Sequence, residues 1–317
     1  MATRKRTSRR TLGPTGLARL SAPLNALADA AASGVRVGFD PVAIPRRYTD
    51  PRDIEVSGLI AAGLAYGRVS LFVPRIEEVL AGLGPRPAAG IEALTLPRAK
   101  ALLEGFVYRF NVGTDVAVLL FGMQAALRRH GSLEQLFLSH RGDGGDLHAT
   151  LSGFLAELRD IPMAPLRHAL GHERGLQHLL PSPLGAGASK RLLMYLRWMV
   201  RGPDAVDLGI WKRVPAAELL LPLDTHTGRL AQHLGLTARS SLNWAAAEEV
   251  TAALRTIDPE DPVRFDFALC HHGMSGGCPP TPRPDTCEAC VLLPACRTGA
   301  RLMGRRSRTP SRPQRGS

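Results

Sequence analysis

The chain lacks cysteine before residue 270, lacks acidic residues in 1–12 and 297–317, and lacks any apolar run long enough to span a bilayer. Each absence removes a class of protein. Five cysteines confined to the end of a 317-residue chain do not make a disulfide framework. A membrane helix needs roughly 18 consecutive apolar residues, and no apolar segment follows the basic start, so neither a span nor a secretory leader is expected and the cytoplasm is the default compartment. No stretch alternates with period two and no internal repeat is visible, which leaves little room for sheet.

One sign of charge is missing from both ends. Residues 1–12 carry five basic side chains and residues 297–317 carry seven, with no acid in either stretch. Without these, the remaining 28 basic groups balance the 28 acidic ones, so the formal charge of +12 resides in the ends. Such arms read as disordered, suited to hold a polyanion without reading its sequence, or simply to keep the chain soluble.

Helical signals fill the rest, enough for one large or two modest domains. A short helix is read around Leu24 to Ala31. Asp50-Pro51-Arg52-Asp53 supplies an N-cap, a first-turn proline and a first-turn acid, opening a helix through Ile54 to Ala65 that Tyr66-Gly67-Arg68 ends. Gly58 and Gly63 on it imply close packing against another element. From Leu71 to Leu180 the pattern is that of an antiparallel bundle, and Ser132 with Gln135 matches a capping box. Leu192, Leu193, Leu196, Met199 and Val200 share one helix face, with Lys190, Arg197 and Arg201 opposite. Residues 202–222 read as an insertion. Helices follow from Thr225 to near Gly235 and over 243–257, and Asp258-Pro259-Glu260 opens the last one.

Chemistry concentrates in Ser182-Pro183-Leu184-Gly185-Ala186-Gly187-Ala188-Ser189-Lys190-Arg191 and in Leu223-Asp224-Thr225-His226. A Gly-x-Gly turn opening a helix bares N–H groups that suit a phosphate, and a lysine follows directly. Downstream, a lone carboxylate heads a second helix. On spacing alone, Lys190 reads equally as a solvated helix-start lysine and Asp224 as an ordinary N-cap. The cysteines follow Cys270-x7-Cys278-x8-Cys287-x2-Cys290-x5-Cys296. Four thiolates gathered by short loops suit a [4Fe-4S] cluster or an all-thiolate zinc site.

Taken together, Gly185-x-Gly187 with Lys190, Leu223-Asp224-Thr225-His226 and the late cysteines resemble the helix-hairpin-helix DNA glycosylases of the endonuclease III type, most closely a bacterial branch of that superfamily, over about residues 48–300. The resemblance implies an all-α fold with two helical lobes flanking a cleft. One lobe joins residues 13–49 to 215–300 and bears Asp224 and the cysteine cluster loop; the other spans 50–205 and ends in the hairpin; residues 1–12 and 301–317 are disordered basic tails. It assigns a [4Fe-4S] cluster to Cys278, Cys287, Cys290 and Cys296, with zinc as the alternative, and leaves Cys270 a buried free thiol. The x2 and x5 gaps agree with that family, whereas the first gap is two residues longer.

The same resemblance makes Gly185, Gly187 and Arg191 DNA-backbone contacts. Tyr66 would stack on a base and Arg68 reach a phosphate or base edge, unless both merely end a packed helix. Asp224 would stabilise positive charge on the sugar, and Lys190 would attack C1′ as a neutral amine. By strict counting from the glycines, Ser189 takes the lysine's place, as in members that use activated water. The function this implies is base-excision repair of double-stranded DNA by a monomeric, cytoplasmic, nucleoid-associated glycosylase, with or without AP-lyase activity. The rival is a non-catalytic DNA-binding or redox-sensing iron–sulfur protein on the same scaffold.

Overall fold

The computed structural model describes residues 11–33, 38, 40–161, 173–185 and 187–306. The expected tails at 1–10 and 307–317 lie outside these, whereas residues 301–306, read as tail, continue a helix. In chain order the helices are α1 (Pro14–Ser33), α2 (Pro51–Leu64), α3 (Val69–Leu83), α4 (Pro87–Glu92) and α5 (Leu96–Leu102). A short antiparallel hairpin of β1 (Val107–Tyr108) and β2 (Asn111–Val112) precedes α6 (Gly113–His130), α7 (Leu133–Ser139), α8 (Leu147–Arg159) and α9 (Glu173–Leu179). Then come α10 (Lys190–Val200), α11 (Thr225–Leu234), α12 (Trp244–Arg255), α13 (Asp266–Met274), α14 (Pro284–Glu288) and α15 (Arg297–Arg306). The described residues are thus mostly helical. No helix among the described residues is long and apolar enough to cross a membrane.

The chain divides into two compact units, Val35–Leu219 and Met1–Gly34 with Leu220–Ser317. Residues 35–49, read from sequence with the cysteine-bearing lobe, belong to the first of these. Arg46 fixes them there, donating from Nη1 to the carbonyls of Val206 at 3.0 Å and Asp204 at 3.2 Å.

In the unit Val35–Leu219, α2 is buried almost throughout. Asp50 caps it through Arg52 N at 2.9 Å, as its sequence signals require. Gly58 lies in the contact with α10, where a Cβ would come within 2.9 Å of Met199 Cε, the end of a flexible side chain that would have to shift, and within 3.3 Å of Tyr195. A Cβ at Gly122 would likewise run into the Leu158 carbonyl, so α6 and α8 meet backbone to side-chain-free backbone. Ser132 Oγ accepts from Gln135 N at 3.1 Å at the start of α7.

Helix α10 departs from the expected amphipathic pattern. Residues 192–200 are all buried, Arg197 included at 4% exposure. Its guanidinium donates to Asp207 at 3.0 Å, and Arg201 reaches the same carboxylate at 2.8 Å. A buried charge needs such a partner, and the partner lies in the irregular stretch after the helix, where periodicity carries no signal.

In the other unit, α1 and α11 both pack on α13. Arg264 ties α1 to the segment before α13 through Asn25 at 3.1 Å, Asp258 at 3.2 Å and Asp29 at 3.3 Å. The helix expected to open at Asp258-Pro259-Glu260 does not begin there: those residues are irregular, and α13 starts at Asp266.

Glu55 on α2 is 2% exposed and accepts from Leu133 N at 2.9 Å, Glu134 N at 2.8 Å and Trp211 Nε1 at 2.7 Å. Burial outweighs those three donors and pushes its pKa up to about 7. The carboxyl is therefore most favourable to the fold below the unfolded value of 4.5, and its contribution declines as pH rises through 7. Stability of the protein relative to Glu55→Gln is expected to fall by about 1.4 kcal/mol per pH unit between those limits. Urea denaturation of both forms across this range measures it, and a flat difference contradicts the assignment.

Candidate nucleic-acid interface and cysteine-lined pocket

The turn before α10 places the predicted contacts at a helix start. Gly185 and Gly187 are exposed, and a Cβ on Gly187 would meet nothing closer than Ser189 N at 4.0 Å. Ala186 lies outside the described residues. Ser189 occupies the N-cap position with φ 48° and ψ 34°, a left-handed conformation that non-glycine residues adopt at a cost of roughly 1–2 kcal/mol. Its side chain makes no capping bond, and its hydroxyl is buried without a hydrogen-bond partner, the residue being 5% exposed. Lys190 is half-buried as the first helical residue. The turn therefore combines strain, an unsatisfied hydroxyl and helix-start amides within a few residues.

Arg191 points inward. Its guanidinium donates to the carbonyls of Gly63 and His178 and lies 5.0 Å from the Tyr66 ring. Burial lowers its pKa to about 10. It braces α10 against the ends of α2 and α9, and is not presented as a phosphate contact.

Tyr66 is half-buried, with its polar atom engaged. Its ring centroid is 4.3 Å from His178 and 4.8 Å from Tyr108, and its hydroxyl lies 2.7 Å from Asn111 Oδ1 and 2.8 Å from Tyr108 O. Burial raises its pKa to about 12. Asn111 is itself anchored, donating to Gly175 O at 2.6 Å and Asp115 Oδ2 at 3.3 Å. Arg68 is exposed at the N-cap of α3. Among the described residues the aromatic displayed to solvent is Phe110, 63% exposed at the hairpin tip and 5.0 Å from the His178 ring. Its neighbour Arg109 has φ 53°, and its guanidinium sits 5.9 Å from the Phe110 ring. Burial, then the charges of Arg191 and Arg109, lower the His178 pKa to about 4, so this ring is neutral at neutral pH. Strands of two residues are too short for alternation to show, which hides this hairpin from sequence.

In the other unit, Asp224 caps α11: Oδ1 accepts from His226 N and Thr227 N, both at 2.8 Å. Its second oxygen lies 3.5 Å from Cys270 Sγ, so Cys270 is a half-buried thiol beside a carboxylate instead of an isolated core residue. Cys278, Cys287, Cys290 and Cys296 line a single pocket together with His233 and leucines of α11 and the 292–293 turn. Burial, then the neighbouring cysteines, push the Cys278 thiol up to about 11. Among the described residues no group of three or more His, Cys, Asp or Glu side chains is gathered to hold a single metal ion. His233 Nδ1 lies 3.2 Å from Cys278 Sγ and His272 Nε2 3.4 Å from Cys290 Sγ. Neither imidazole stands out in sequence, because basic residues in a last helical turn are common for dipole reasons alone.

By class this is a helical protein of two units, one with a strained glycine turn at a helix start, the other with a cysteine-lined pocket. The chain belongs to the family described as "Protein of unknown function (DUF2400)", whose model matches residues 40–275. No curated protein and no solved structure matches it significantly. The family match overturns the assignment to the helix-hairpin-helix glycosylases. A Gly-x-Gly turn before a helix and an aspartate N-cap meet needs that every helix start has, so these short signatures do not identify a superfamily. The cysteine loop lies beyond the matched residues.

Ser189→Gly removes both the left-handed strain and the buried hydroxyl. It is expected to stabilise the ligand-free protein by about 1 kcal/mol, read as a rise in thermal midpoint. A drop in midpoint would mean that the hydroxyl has a stabilising role.

Proposed function

We propose that the protein binds duplex DNA through the turn at residues 185–190 and excises a damaged base from it. The observation that carries the binding is Ser189. Its left-handed backbone turns the chain into α10 so that the exposed Gly185 and Gly187 lie beside the helix-start amides, an arrangement that suits a phosphate oxygen. The open space over Gly187 leaves room for that phosphate. Phe110, with Arg109 beside it, adds a stacking surface of the kind that holds unpaired bases.

For excision, Asp224 is the carboxylate that stabilises the positive charge arising on the sugar as the base departs with its bonding pair. Lys190 is the amine whose lone pair forms the new bond to C1′, giving a Schiff base and strand cleavage. If Ser189 orients water instead, the base is released without a covalent intermediate. The capping bonds of Asp224 favour a second reading, binding without chemistry, because they already give one carboxylate oxygen a structural task.

The cysteine pocket is read as the seat of a [4Fe-4S] cluster held by Cys278, Cys287, Cys290 and Cys296. One observation supports a metal centre there: all four thiols line one pocket. The cluster would tie together a loop with little apolar content of its own and supply a one-electron couple.

Borohydride reduction of the protein on a panel of damaged duplexes separates the readings. A covalent adduct lost in Lys190→Ala supports the amine route. Base release without an adduct, abolished in Asp224→Asn, supports the water route. DNA retention with neither product supports the binder, and failure to bind duplex DNA overturns the proposal. Anaerobically purified protein should show a broad band at about 400 nm; colourless, zinc-loaded protein contradicts the cluster.

A further inference from the structure

Two side chains of α11 address the same cysteine. Arg229 donates from Nε to the carbonyl of Cys278 at 3.0 Å, and one turn on, His233 brings Nδ1 to 3.2 Å from its Sγ. Cys296 Sγ, which lines the same pocket, lies 3.7 Å from the backbone carbonyl of His233. Residues four apart on a helix share a face, so backbone and sulfur of Cys278 are held by one rigid element. His272 approaches Cys290 Sγ at 3.4 Å and accepts from Gly277 N at 3.0 Å through its carbonyl.

A metal-bound thiolate has no proton to give, so an imidazole nitrogen beside it must be the donor. Resting on the cofactor reading above, we infer that His233 donates Nδ1–H to the metal-bound sulfur of Cys278 and so controls how firmly the cluster is held and at what potential it is reduced. A hydrogen bond to a ligand sulfur draws off negative charge, which favours the reduced, more negative cluster and makes the sulfur a poorer target for oxygen. His233 is in this role a positioning residue. It acts on the cluster through Cys278.

The test uses full-length protein purified without oxygen as wild type, His233→Phe and His233→Asn. Iron content and the folded helical signal are measured first; then the rate at which the band near about 400 nm bleaches in air and the reduction potential are read. The inference predicts matching iron content, several-fold faster bleaching and a more negative potential in His233→Phe, with both properties restored toward wild type in His233→Asn, which keeps an N–H donor. Wild-type bleaching and potential in His233→Phe at full iron content overturn the inference alone. Wild-type protein containing no iron overturns the cofactor reading, and the inference with it.

Discussion

A single carboxylate holds the unit Val35–Leu219 together. Glu55 comes from α2, receives the first two amides of α7 and the indole N–H of Trp211, and is closed off from solvent. It thus does for α7 what a local N-cap does, from a residue far away in sequence, and it anchors the irregular stretch after α10 as well. Charge sealed in this way is costly, and because burial outweighs the three donors the carboxyl holds its proton up to a pH of about 7. Helix α10 packs on α2, Gly58 lying in that contact, and the turn at residues 185–190 leads into α10.

The residues around that turn are divided between holding and display. Arg191 and Tyr66 have the chemistry of ligand contacts, yet their polar atoms are committed to the carbonyls of Gly63, His178 and Tyr108. What they rigidify is exposed: the glycines before Ser189, and the hairpin tip with Arg109 and Phe110. A surface held by neighbours with satisfied hydrogen bonds loses little entropy on meeting a ligand. In the other unit, α11 plays a comparable part. Its N-cap is Asp224, and its later turns present Arg229 and His233 to Cys278.

Much of this fold is legible in the chain. Asp50-Pro51, Ser132 and Asp224 sit at helix starts because each supplies an oxygen to amides within three residues, a purely local requirement. What sequence hides is non-local. Arg197 looks solvent-facing by periodicity and is buried because Asp207 waits in an irregular segment. Arg191 looks like a phosphate contact until its carbonyl partners from α2 and α9 are seen. Phe110 sits on strands too short to alternate, and His233 announces nothing until the loop carrying Cys278 folds against it. The glycosylase resemblance, carried by two helix-start motifs and the late cysteines, is overturned by the family match.

The central claim is that the amides opening α10 hold a phosphate of DNA. The most direct measurement is the change in backbone amide resonances of residues 185–191 as a short duplex is titrated in. The account predicts the largest, salt-sensitive shifts at Gly185, Gly187, Ser189 and Lys190. Unmoved resonances there, with DNA-induced shifts confined to other segments, would contradict it.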